Sequence, residues 1–128
     1  MKEIKLTAMF KQLLFKECQK NNLLEFYWKV PDCAGLGGLR CFDSFLLIHG
    51  KFFAFEFKVG DNKPTKMQEY HLTLVNKCGG KSFVVHEDDY KKIINIIIRG
   101  AILTRKCMND AGLISNLIGR EGEKNDSR

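Results

Sequence analysis

No stretch of this 128-residue chain is apolar for long enough to cross a bilayer: the longest run, IINIII at residues 93–98, is short and flanked by Lys91, Lys92 and Arg99. It reads as core. The N-terminus MKEIKLTAMFKQLLFKE lacks the apolar block of a signal peptide, so a cytoplasmic protein with no membrane partner is expected. The five cysteines form no C-x-x-C pair and the three histidines have no short metal-ligating spacing, which argues for reduced thiols and against a zinc site. The glycines in PDCAGLGGL, residues 31–39, match neither the dinucleotide nor the P-loop spacing, leaving a turn or loop there. Internal repeats and low-complexity tracts are also missing.

What is present is the composition of a packed globule, with 45% apolar residues and ten Phe. Residues 1–120 read as one domain, and EGEKNDSR, residues 121–128, as a loose tail. The formal charge of +6 suits a polyanionic partner, yet it is diffuse. Lys and Arg outnumber Asp and Glu by 9 to 6 in residues 1–60, 6 to 5 in 61–92 and 6 to 4 in 93–128, so no segment is a basic arm.

The order of elements follows from periodicity and turn residues. An amphipathic helix through MKEIKLTAMFKQLLFKECQK, with Ile4, Ala8, Phe10 or Lys11, Leu14 and Phe15 near helical spacing, stops at Asn21 and Asn22. LLEFYWKV suits a strand, and RCFDSFLLIH and KFFAFEFKV suit two more, joined by a hairpin at Gly50 and Lys51. A helix follows from Pro64 to Gly79, its predicted apolar stripe running through Met67, Tyr70, His71, Leu74, Val75 and Cys78. KSFVVH is a short strand, Asp88 or Asp89 is placed to cap a helix through YKKIINIIIRGAIL, and NDAGLISNLIG adds a last turn or two. The expected fold is α/β: helix, three-strand meander, helix, strand, helix, with the helices flanking a mixed sheet.

Charge inside KFFAFEFKV demands an explanation. With a period of two, Phe53, Phe55 and Phe57 share one face and Glu56 and Lys58 the other, and a charge set deep in a sheet needs a partner. A two-residue turn at Gly50 and Lys51 opposes His49 to Phe52, Phe45 to Glu56 and Asp43 to Lys58. That register puts Asp43, Glu56 and Lys58 on one side, with the two carboxylates as diagonal neighbours able to share a cation. A three-residue turn sends Asp43 to the opposite face. An ion cluster at a sheet edge accounts for the same residues without chemistry. Two carboxylates beside a lysine are also what phosphodiester hydrolysis needs: hard oxygen ligands for Mg²⁺ and a cation near the attacking water.

The residues D-x12-E-x-K, embedded in FDSFLLIHGKFFAFEFKVGDNKPTKMQEYHLTLVNKCGGKSFVV, resemble the PD-(D/E)XK nuclease superfamily, in particular its VRR-type branch, over about Leu24 to Tyr90. The resemblance implies a restriction-endonuclease-like core and a nuclease cutting DNA, with branched or flapped DNA as plausible substrates and a homodimer as a plausible state. It implies Asp43, Glu56 and the backbone carbonyl of Phe57 as ligands of Mg²⁺ (or Mn²⁺), Lys58 as support for the nucleophile, and Gln68 as an auxiliary residue. A capping box with Thr65 explains Gln68 without any active site. The Pro of the family name is Phe42 here, and the helix-one acid that often completes such sites is either Glu3 or Glu17. A catalytically silent nucleic-acid-binding module on the same scaffold is the alternative reading.

Overall fold

The computed structural model describes residues 1–31 and 41–110. The glycine-rich segment with Cys33, the last turns expected in NDAGLISNLIG beyond Asp110, the domain end at residue 120 and the tail all lie outside the described residues. The rest is an α/β unit in the expected order: α1 (Glu3–Lys20), β1 (Glu25–Lys29), β2 (Ser44–Ile48), β3 (Lys51–Phe57), α2 (Lys66–Lys77), β4 (Lys81–Val85) and α3 (Tyr90–Asp110). The four strands form one mixed sheet in the order β1-β2-β3-β4, antiparallel up to β3 and parallel between β3 and β4. The parallel pair requires a crossover, and α2 supplies it. No helix among the described residues is long and apolar enough to span a membrane.

The β2–β3 turn falls one residue earlier than the sequence suggested. His49 and Gly50 occupy it with φ of 46° and 82°, the paired positive values of a tight hairpin turn whose twist matches its strands. Ile48 therefore faces Lys51, and Ser44 faces Phe55. The register moves by two residues relative to expectation, so each ladder residue keeps its predicted face.

Beneath α1 and α3 lies the larger core. Phe53, Phe55 and Phe57 are at most 5% exposed and pack with Leu46, Ile48 and Val85 against the two helices. The Phe10 ring sits 4.8 Å from that of Phe55 and 5.2 Å from that of Phe57. The buried row of α1 is Leu6, Phe10, Leu14 and Cys18, spaced by four. Ile4, expected in that row, is 82% exposed, and Ala8 is exposed too. Leu6 and Cys18 extend the inward row through the full helix, which Ile4 and Ala8 do not.

The opposite face carries a smaller cluster, Phe42, Ala54 and Leu72, under α2. Here the expected apolar stripe is corrected. Met67, Tyr70, Leu74 and Cys78 are exposed, Val75 packs against the cluster as expected, and the residue α2 buries is Leu72, with Gln68 half-buried one turn before it. The reason is polar bonding: Ser82 N–H donates to Asn76 Oδ1 (2.9 Å), its hydroxyl donates to the Leu72 carbonyl (3.0 Å), and Gln68 reaches Glu56. At the start of α3, Asp89 Oδ1 accepts from the His86 amide (2.8 Å), which lies before the helix, so Asp89 fixes the entry loop.

Candidate functional site

Glu56 sits near the C-terminal end of β3, on the α2 face, and is 2% exposed. Together with Ser44 it is a buried polar residue in a region otherwise filled with aromatic and aliphatic side chains. A buried carboxylate is tolerated only with partners. Two arrive at Oε2: Gln68 Nε2 donates at 3.1 Å, and Lys58 Nζ stands 3.8 Å away. Lys58 follows β3 directly, its amide donating to the Val85 carbonyl (3.0 Å) and its side chain only 13% exposed. The two-residue spacing thus puts Glu56 and Lys58 on one face, as expected.

Gln68 closes the capping box considered for it and also reaches Glu56. Its Oε1 accepts from the Thr65 amide (2.9 Å) and its own amide donates to Thr65 Oγ1 (3.2 Å), closing a capping box at the start of α2. The box also settles which end of the amide faces the strand. Thr65 N–H needs an acceptor, so Oε1 must point there, and the NH₂ group is left to face a carboxylate that can only accept when ionised.

Asp43 lies just before β2, where the ladder becomes irregular. Its amide donates to the Phe55 carbonyl (3.0 Å) while Ser44 is also registered against Phe55, two residues opposing one as in a β-bulge. The extra residue breaks the alternation that was expected to put Asp43 squarely on the Glu56 face. Instead, Phe42 packs with Ala54 and Leu72, and the Asp43 carboxylate turns to the strand end, where Oδ2 accepts from the Phe57 amide (2.8 Å). That amide belongs to the Glu56–Phe57 peptide bond, so the carboxylate is tied to the backbone that carries Glu56. The diagonal-neighbour geometry is replaced by a strand-end one.

From there Asp43 also faces the α1 side. It lines a cavity of ≈ 330 Å³ with Glu3, Thr7, Lys11 and Lys29. Its negative charge adds to the upward push on the Tyr27 phenol, which comes first from burial and is opposed by the bond from Tyr27 Oη to Ser44 Oγ (2.8 Å). Of the two helix-one acids, then, Glu3 shares a cavity with Asp43. Glu17 is fourteen residues further along α1, about 21 Å at helical rise. There its charge acts on Cys18.

Among the described residues no three His, Cys, Asp or Glu side chains converge as a metal-binding group. Asp43, Glu56 and the Phe57 carbonyl lie at this end of β3, with Asp43 lining the cavity beside α1 and Glu56 turned toward α2. In an extended strand a residue's N–H and C=O point to the same side, so the Phe57 carbonyl faces the β2 side, as its amide does. The chain matches no protein-family model, no curated protein and no solved structure.

Proposed function

We propose that this chain is a metal-dependent nuclease with a restriction-endonuclease-like core, hydrolysing DNA phosphodiester bonds. The observation that carries the reading is the strand-end cluster: the Asp43 carboxylate held on the Glu56–Phe57 peptide, with buried Glu56 flanked by Lys58 and Gln68. A purely structural ion pair needs neither the bulge that redirects Asp43 nor a third element, α2, delivering an amide to Glu56.

The donor set suits a hard cation. Two carboxylates and a backbone carbonyl are all oxygen ligands, and Mg²⁺ is ordinarily held by one or two carboxylates while keeping several waters. Asp43, Glu56 and the Phe57 carbonyl would hold it; Mn²⁺ takes the same oxygens. When bound, the cation supplies Lewis acidity toward a phosphate oxygen and a more acidic water. The chain's own residues do the rest. Gln68 fixes the Glu56 carboxylate through a rigid, capped amide. Lys58 keeps one positive charge beside it, placed to orient the attacking water and to offset charge developing on the phosphate. Of the helix-one acids, Glu3 is the one that lines the same cavity as Asp43. The +6 formal charge favours the polyanion.

The test is cleavage of labelled duplex, single-stranded, flapped and four-way DNA by purified protein with Mg²⁺, Mn²⁺ or EDTA. Metal-dependent cutting that EDTA abolishes is expected. Salt-dependent binding without cutting under either metal would leave a silent nucleic-acid-binding module in its place.

A further inference from the structure

Among the described residues β1 is an edge strand with one face exposed. In EFYWK, Phe26 and Trp28 are 50% and 53% exposed, with ring centroids 5.8 Å apart, and Leu24 and Leu47 beside them are 57% and 43% exposed. A contiguous apolar patch of this kind on a sheet edge marks an interaction surface. On this side α2 lies over β3 and β4, and Phe26, Trp28 and Leu47 of β1 and β2 stay exposed among the described residues.

The backbone of β1 shows what fits. Val30 donates to the Asp43 carbonyl (2.9 Å) in continuation of the β1–β2 register, so even-numbered residues turn their N–H and C=O groups toward β2. Those of Glu25, Tyr27 and Lys29 therefore point outward, where no described strand pairs with them. The strand is also its own complement. Laid antiparallel against a second copy about Tyr27, it sets Tyr27 against Tyr27 and Glu25 against Lys29 twice over, all at hydrogen-bonded positions. Phe26 then meets Trp28 at the non-hydrogen-bonded positions, where side chains approach most closely. A centre at Phe26 or Trp28 leaves charge facing the Tyr27 ring, and a centre at Glu25 or Lys29 sets like charges against each other.

We infer that β1 pairs with β1 of a second copy, joining two four-stranded sheets into one continuous sheet with the Phe26 and Trp28 rings interleaved across the two-fold axis. The inference is independent of the nuclease reading, since neither its grounds nor its test involves DNA.

Charge reversal tests both the partner and the register, read by sedimentation velocity of the full chain over a concentration series. The parent is expected to dimerise, with emission from Trp28, the chain's one tryptophan, shifting to the blue as the dimer fills. Glu25→Lys sets lysine against lysine and Lys29→Glu sets glutamate against glutamate, so each should weaken dimerisation tenfold or more. The double variant should restore it, and mixing the two single variants should give a heterodimer; circular dichroism checks that each is folded. A parent that stays monomeric at every concentration overturns the inference, also where single-stranded oligonucleotide shifts Trp28 emission and so claims the face for nucleic acid. A dimer indifferent to the single reversals, or not restored by the double, overturns it equally.

Discussion

The two faces of the β3 strand are buried by different means. Toward α1 and α3, Phe53, Phe55 and Phe57 meet a broad apolar core in which shape and area decide the energy. Toward α2, Ala54 and Glu56 meet a thin cluster in which specific polar bonds decide it: Gln68 to Glu56, and Ser82 to Asn76 and Leu72. One face is thus free to supply stability while the other holds a charged arrangement that stability alone would not select. A carboxylate as buried as Glu56 costs free energy unless its partners are well placed.

The largest expected effect of breaking this contrast lies on the apolar side. Phe55 is fully buried and its ring contacts those of Phe10, Tyr27 and Phe83. Phe55→Ala should cost about 3–5 kcal/mol, enough to unfold a marginal domain, measured by denaturant unfolding. Next comes the charged side. Glu56→Gln keeps the shape and removes the charge, so cleavage should fall about 10²-fold or more while the unfolding midpoint stays near that of the parent. Lys58→Met should likewise abolish cleavage and leave a folded protein. If the cluster were only an ion pair, losing Lys58 would instead strand a buried carboxylate and lower the melting temperature, and variants that melt early yet cleave normally would sink the nuclease reading.

A smaller, pH-dependent effect separates the faces again. Cys18 is fully buried at the end of the α1 row, and its thiol is pushed from an ordinary value near 9 up to about 12, chiefly by burial and further by the charges of Glu25 and Glu17. A group whose folded pKa is raised holds its proton more tightly in the native state, so its contribution to stability is complete below pH 9. It is lost as pH rises from there toward 12. The slope is at most about 1.4 kcal/mol per pH unit. Comparing parent and Cys18→Ala by thermal unfolding across this range should show the parent losing stability faster; parallel curves would refute it.

What could be read in the sequence was whatever rests on local pattern. Turn residues gave the element order, and a hairpin placed one residue late still preserved the faces of β3, because a shift of two restores the alternation. The facing rows of α1 and α2 were harder. Ile4 is more apolar than its 82% exposure suggests, and α2 brings Leu72, Val75 and the polar Gln68 to the sheet while Met67 and Tyr70 stay in solvent, so apolar spacing alone misplaces the facing row. The bulge at Asp43 leaves no trace in a period of two, since an inserted residue looks like any other until its ladder partner is known. The choice between Glu3 and Glu17 depended on which end of α1 lies beside Asp43, a tertiary fact.

The smallest expected effect divides the two roles of Gln68. Thr65→Ala removes the hydroxyl that accepts from the Gln68 amide, a loss of about 1 kcal/mol for a helix N-cap. It leaves the Thr65 backbone amide in place, and that amide is what holds Gln68 Oε1 and so turns Nε2 toward Glu56. Cleavage in Thr65→Ala should therefore drop only a few-fold, in step with the looser helix end. Gln68→Ala keeps the hydroxyl cap but deletes the donor to Glu56, so its stability loss should be similar in size while cleavage falls well below that of Thr65→Ala. Melting temperature and metal-dependent cleavage measured on both variants resolve the matter. Equal cleavage at equal stability would make Gln68 a capping residue and nothing more, and Glu56 would then rely on Lys58 without help from α2.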